Sequence, residues 1–193
     1  MFSKNILRSF IILPVIVLVT ACQLAPSKSD EGVASTADLS PETVQKYGYA
    51  LQLMKKGNDD AAIKVFDGVT RLNSALSGPF VNRGLIYLKQ GDKEKAEESF
   101  RDAIKRNPSN VAALNQLGVL LREQKDFKGA REQYEAALAI DENHGATNLN
   151  LGILCDIYLQ DKQCAMTHYL TYLQLNEDDE QVNNWVVDLK EQL

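Results

Sequence analysis

From Pro41 onward the chain alternates between apolar stripes at helical spacing and short polar breaks. In one stretch Leu114, Leu117 and Leu121 recur at three- and four-residue steps, and after Lys125 and Asp126 the residues Phe127, Ala130, Tyr134, Ala137 and Leu138 do the same. Apolar groups at these steps share one face of a helix, so each such stretch predicts two amphipathic helices in tandem. Four breaks separate the paired stripes: Gly57 to Asp59, Gly91 with Asp92, Lys125 with Asp126, and Gln160 with Asp161. Gly, Asn and Asp there supply a helix stop and an N-cap for the next helix. Ser40 and Pro41 mark a helix start as cap and first-turn proline. After residue 178, Val182, Trp185, Val186, Leu189 and Leu193 form one stripe on a last helix.

The stripes repeat. Gly84, Gly118 and Gly152 fall 34 residues apart, with Ala50 in the preceding slot. Twelve residues after each stand Ala62, Ala96, Ala130 and Cys164; four further on come Phe66, Phe100, Tyr134 and His168, then Val69, Ala103, Ala137 and Thr171. Small residues in the first two columns let paired helices approach closely, and the aromatic column fills the space between successive pairs. His168 is thereby expected in an aromatic core position. The stretch from Gly84 to Pro108 resembles the tetratricopeptide repeat, with Gly84, Tyr87, Ala96, Phe100, Ala103 and Pro108 in pattern. That resemblance implies an all-α fold: a right-handed superhelical solenoid over 41–178 with repeats at 43–76, 77–110, 111–144 and 145–178, closed by a capping helix over 179–193. The first repeat departs from the pattern at Ala50 and Ser74, and the fourth at Cys164, His168 and Thr171.

In this family the first helix of each pair lines a concave groove. Asn82, Gln116 and Asn150 recur in that helix two residues before the glycine column. Carboxamides both donate and accept, so a row of them can hold an extended peptide backbone; equally, they can cap or solvate the helix face. The row is similar to the asparagine ladder of tetratricopeptide glycosyltransferases, broken at Gly48. Tyr47, Val81, Leu85, Lys89, Asn115, Val119, Arg122 and Ile153 are expected on the same faces, apolar groups beside a few cations that suit a protein or peptide partner. The carboxylate clamp of chaperone-binding members is not matched, since Tyr47, Leu51, Ala112 and Gln116 occupy its slots and Asn82 alone fits.

The first 21 residues carry Lys4 and Arg8 before a short apolar run interrupted by Pro14. A spanning helix needs about 20 apolar residues, so this reads as a removable export signal. Val19, Thr20, Ala21 and Cys22 resemble the bacterial lipobox, which implies acylation of Cys22 after cleavage and anchoring to a membrane through several acyl chains. In enterobacteria Gln23 would favour the outer membrane, facing the periplasm. Residues 23–40 are rich in Ser, Ala, Asp and Pro and read as a flexible tether with a reach of about 25 Å. The whole chain has a net charge of −5, and loss of Lys4 and Arg8 with the leader makes the mature form still more acidic. That balance argues against a nucleic-acid surface.

Candidate chemistry is sparse. The sequence has no phosphate-binding glycine loop, GxSxG elbow, HExxH or paired metal-ligand cysteines. His144, in the turn between repeats, reads as a solvated loop residue. Cys155, Cys164 and His168 form the one constellation with possible reactivity. Cys155 and Cys164 suit a disulfide in an oxidising compartment, or two reduced thiols packed as small core residues, or, with His168, a three-ligand metal site lacking its fourth ligand. Together these readings give a non-enzymatic adaptor without a cofactor, lipid-anchored in the cell envelope as in lipoproteins that assist pilus or secretin assembly. The alternatives are a scaffold for peptidoglycan enzymes or proteases, or a thiol- or metal-dependent lipoprotein.

Overall fold

The computed structural model describes residues 39–193. The leader, Cys22 and residues 23–38 of the tether lie outside the described residues. Those described form nine α-helices and one π-helical segment: α1 (Pro41–Lys55), α2 (Asp59–Leu72), α3 (Gly78–Gln90), α4 (Lys93–Arg106), α5 (Val111–Glu123), α6 (Phe127–Ile140), α7 (Gly145–Ile153), the π segment Leu154–Leu159, α8 (Lys162–Leu173) and α9 (Glu180–Lys190). None of these helices is long and apolar enough to cross a membrane.

Local chemistry sets the ends. The Ser40 hydroxyl accepts from the Thr43 amide at 3.2 Å, with Pro41 in the first turn of α1. Asp92, Asp126, Asp161 and Asp179 each accept an amide three residues on, capping α4, α6, α8 and α9. At the hairpin turns Gly57, Gly91, Lys125 and Gln160 adopt left-handed φ of 76°, 81°, 66° and 56°. The first three of these turns close as Schellman-type stops.

The helices pair as α1/α2, α3/α4, α5/α6 and α7/α8, and each pair stacks on the next. Close approach within a pair explains the glycine column. A Cβ on Gly84 would strike the Phe100 ring, and one on Gly118 or Gly152 would lie 2.5 Å from Tyr134 or Tyr169. Ala62, Phe66, Ala96, Phe100, Ala130 and Tyr134 are fully buried in the core. The helix α9 covers the open end with Val182, Val186 and Leu189, and its Trp185 ring packs 5.4 Å from Tyr169. Leu193 falls beyond α9 and is exposed.

The fourth repeat departs from the expected register. In the first three hairpins the residue after the left-handed turn donates its amide five residues back, Asn58 to Leu53, Asp92 to Tyr87 and Asp126 to Leu121, each at 2.9 Å. In the fourth, Asp161 donates six residues back, to Cys155 at 2.8 Å. One extra residue is accommodated by widening the last turn of the helix into the π segment. The columns after it therefore move by one: Ala165 and Tyr169 are the buried counterparts of Ala130 and Tyr134, and Cys164 and His168 are not. The Tyr169 ring, not His168, packs against Gly152.

Candidate partner-binding groove

The first helices α1, α3, α5 and α7 share an inner face. Hydrogen bonds run directly between neighbours: Asn82 Nδ2 on α3 donates to Tyr47 Oη on α1 at 2.9 Å, and Asn150 Nδ2 on α7 donates to Asn115 Oδ1 on α5 at 3.0 Å. Leu51, Leu85, Val119 and Ile153 stand on this face at one 34-residue period. Leu51 is 40% exposed and the other three are half-buried, so the four form a solvent-accessible aliphatic strip. The exposed Val44 and Ile157 extend the apolar character at either end. Leu51 was legible from its place one period before Leu85.

The expected lining residues divide into three groups. Leu85, Val119 and Ile153 belong to the strip. Val81 and Asn115, expected in the groove, are interior: Val81 is packed in the core, and Asn115 Oδ1 is committed to Thr147 Oγ1 at 3.2 Å and to Asn150. Lys89 is exposed and ion-paired with Asp59 at 2.7 Å. The carboxamide row is not an open ladder, because Asn82 Nδ2 also donates to Gly78 O at 3.0 Å and Asn150 Nδ2 is used on Asn115. Each keeps its Oδ1 as an acceptor, and the side chain of Gln116 makes no hydrogen bond to the described residues.

The cysteine and histidine constellation is a disulfide beside two separate histidines. Cys155 and Cys164 are bonded with a Cα–Cα distance of 5.8 Å, joining the π segment to the first turn of α8. The equivalent corner of the second repeat holds Lys95 over the Tyr87 ring at 5.5 Å. His168 Nδ1 is 2.9 Å from Asn148 Oδ1, and no cluster of three metal-ligating side chains occurs among the described residues. His144 is not a solvated loop residue. Its half-buried ring caps α7, with Nδ1 3.3 Å from the Thr147 amide and 2.7 Å from Thr147 Oγ1. Burial holds both imidazoles below the ordinary histidine range; Asp141 opposes the shift at His144, while Arg131 reinforces and Glu135 opposes it at His168.

A second polar group lies one turn beyond the strip, drawn from α5, α6, the π segment and α8. Arg122 Nη1 and the hydroxyl of the fully buried Tyr134 are both enclosed and lack any hydrogen-bond partner. Nearby, the Tyr169 hydroxyl donates to Asp156 Oδ2 at 3.4 Å. Burial drives both tyrosines well above the ordinary phenol range. The Arg122 charge lowers both, whereas Glu123 and Tyr158 raise Tyr134 and Asp156 raises Tyr169.

This architecture, four stacked helical hairpins under a capping helix, is the tetratricopeptide-repeat solenoid. Residues 81–144 match the tetratricopeptide repeat family profile. Among solved structures the chain is similar to PilF of Pseudomonas aeruginosa, with 18% identity, a TM-score of 0.68 and coverage of 78% of this chain and 68% of that one. It is also similar to MamA of Desulfovibrio magneticus RS-1, with 16% identity, a TM-score of 0.66 and coverage of 79% and 86%. A probable UDP-N-acetylglucosamine--peptide N-acetylglucosaminyltransferase SPINDLY of Solanum lycopersicum is 28% identical over 118 residues, 61% of this chain but 13% of that protein. The chain thus spans about an eighth of the length of this curated relative.

Proposed function

We propose that this protein is a non-enzymatic, lipid-anchored adaptor that holds a protein or peptide partner along the inner face of its solenoid. The carrying observation is the strip of Leu51, Leu85, Val119 and Ile153, apolar surface left open on a face whose neighbouring polar groups retain unused acceptors. Acylation at Cys22, a tether over residues 23–40 and a position facing the periplasm, at the outer membrane, complete the reading. The partner is a component of an assembling envelope complex such as a pilus or secretin. A scaffold for peptidoglycan enzymes or proteases would use the same groove with a different ligand. A thiol- or metal-dependent activity is disfavoured because Cys155 and Cys164 are bonded to each other.

Two experiments test this. Metabolic labelling with a radiolabelled fatty acid should mark the wild type and not Cys22→Ser, which should also leave the membrane fraction; unlabelled wild type would overturn the anchor. A photo-crosslinking amino acid at position 116 should trap a defined partner in the native host, and Val119→Asp should abolish the crosslink. An unchanged crosslink in that variant would overturn the groove.

A further inference from the structure

Arg122 and Tyr134 bury donors that the chain itself does not use. A guanidinium nitrogen only donates, and a neutral phenol hydroxyl offers its proton, so each is a donor without an acceptor, and the Arg122 charge is near enough to act on the Tyr134 hydroxyl. Leaving such groups enclosed and unpaired costs stability. Packing does not demand the hydroxyl at Tyr134, since Phe66 and Phe100 fill the same column in the first two repeats and are equally buried. What is unpaired in the free protein but not required by its packing is suited to a ligand.

The site adjoins the aliphatic strip: Arg122 follows Val119, and Asp156 follows Ile153, by one helical turn. Its charge distinguishes the ligand. Asp156, bonded to the Tyr169 hydroxyl, offsets Arg122, while Glu123 is ion-paired with Lys93 at 2.8 Å. A carboxylate entering here would meet Asp156 with no surplus cation to compensate. A neutral carbonyl accepts from both donors without that repulsion.

Resting on the groove reading above, we propose that Arg122 Nη1 and Tyr134 Oη receive a backbone carbonyl of an apolar peptide segment laid along Leu51, Leu85, Val119 and Ile153. Both donor atoms are enclosed in the free protein, so docking moves a side chain aside. We assign that movement to Tyr158, which is 44% exposed on the π segment, is in ring contact with Phe127 at 4.8 Å and is near enough to the Tyr134 hydroxyl to act on it. The inserted residue of the fourth repeat thus has a role, since the π segment carries both Asp156 and Tyr158.

The test uses the full mature chain, disulfide intact, and twelve-residue peptides selected on it from a phage library, then synthesised with amidated C-termini. Peptides whose binding is lost in Val119→Asp occupy the groove. Against these, Tyr134→Phe is expected to weaken binding about tenfold while its melting temperature stays level or rises, because the variant deletes an unpaired buried hydroxyl. Tyr169→Phe, whose hydroxyl already serves Asp156, should bind as wild type. Equal affinity for Tyr134→Phe, or an equal loss in Tyr169→Phe, overturns the proposal and leaves the groove standing. Binding that depends on an acidic side chain of the peptide overturns it in favour of a carboxylate. If no selected peptide depends on Val119, the groove reading fails and this inference with it.

Discussion

Removing the Cys155–Cys164 bond should loosen the end of the solenoid selectively. The cysteines are 9 residues apart, so the bond closes a loop of about ten. In the chain-entropy account such a loop restrains the unfolded chain by about 2.7 kcal/mol at 25 °C. For a domain of this size, about 2–4 °C of melting temperature accompanies each kcal/mol, which gives a fall of about 5–10 °C. The perturbation is reduction of the wild-type protein, with Cys155→Ala/Cys164→Ala as the permanent counterpart; the fully buried Cys155 adds a small packing loss to the variant. Each repeat touches only its neighbours, so the effect should concentrate in α7, the π segment, α8 and α9. Circular dichroism melts with and without reductant give the size of the effect, and amide hydrogen exchange gives its location. Faster exchange confined to residues 145–193 is expected. Identical melts for oxidised, reduced and doubly substituted protein, or exchange rising evenly from α1 to α9, would refute the reasoning.

Gly118→Ala places a methyl 2.5 Å from the Tyr134 ring and should cost about 1–3 kcal/mol, read from urea unfolding. Deleting Ile157, an exposed residue of the π segment, restores the 34-residue unit and should leave helix content unchanged by circular dichroism; loss of the fourth repeat would show that the segment is not an insertion. His144 and His168 titrate below their ordinary value of 6.5 in the folded protein, so the unfolded chain binds more protons just below that pH. Their contribution is complete above about pH 6.5 and is lost as pH falls through the lowered values. His144→Asn, which keeps an N-cap, should therefore show a smaller drop in melting temperature between pH 7.5 and 5.0 than wild type.

The hairpins were legible because Gly84, Gly118, Ala96, Ala130, Phe100 and Tyr134 each hold a column at one period. Reading on at 34 residues put Cys164 and His168 in the core, because an extra residue absorbed inside a continuous helix leaves no gap or turn residue to mark it. The signal was the displaced pair Ala165 and Tyr169, which repeats the spacing of Ala130 and Tyr134 one residue late. The carboxamide row was visible as spacing. Its partners were not, since whether Asn82 faces a ligand or Tyr47 depends on the tilt between α1 and α3. His144 was misread because its ring caps α7 in the manner of an Asn or Asp, a use that composition does not advertise. The unpaired Tyr134 hydroxyl is a fact of three-dimensional enclosure, invisible in a column where Phe packs as well.

The cross-helix bonds of the inner face are unevenly spread. Among the described residues, Tyr47 with Asn82 fastens α1 to α3, and Asn115 with Asn150 and Thr147 fastens α5 to α7. Between the second and third repeats the side-chain bonds lie elsewhere: the buried caps Asn110 and Ser77 meet at 2.9 Å, and Lys93 of α4 pairs with Glu123 of α5. The inner face is thus cross-linked by side-chain hydrogen bonds near its two ends, whereas at its middle, beside Gln116, the second and third repeats are held by the apolar core that runs through both. A ligand lying across that middle would meet aliphatic side chains and the side chain of Gln116 without having to break a bond between helices.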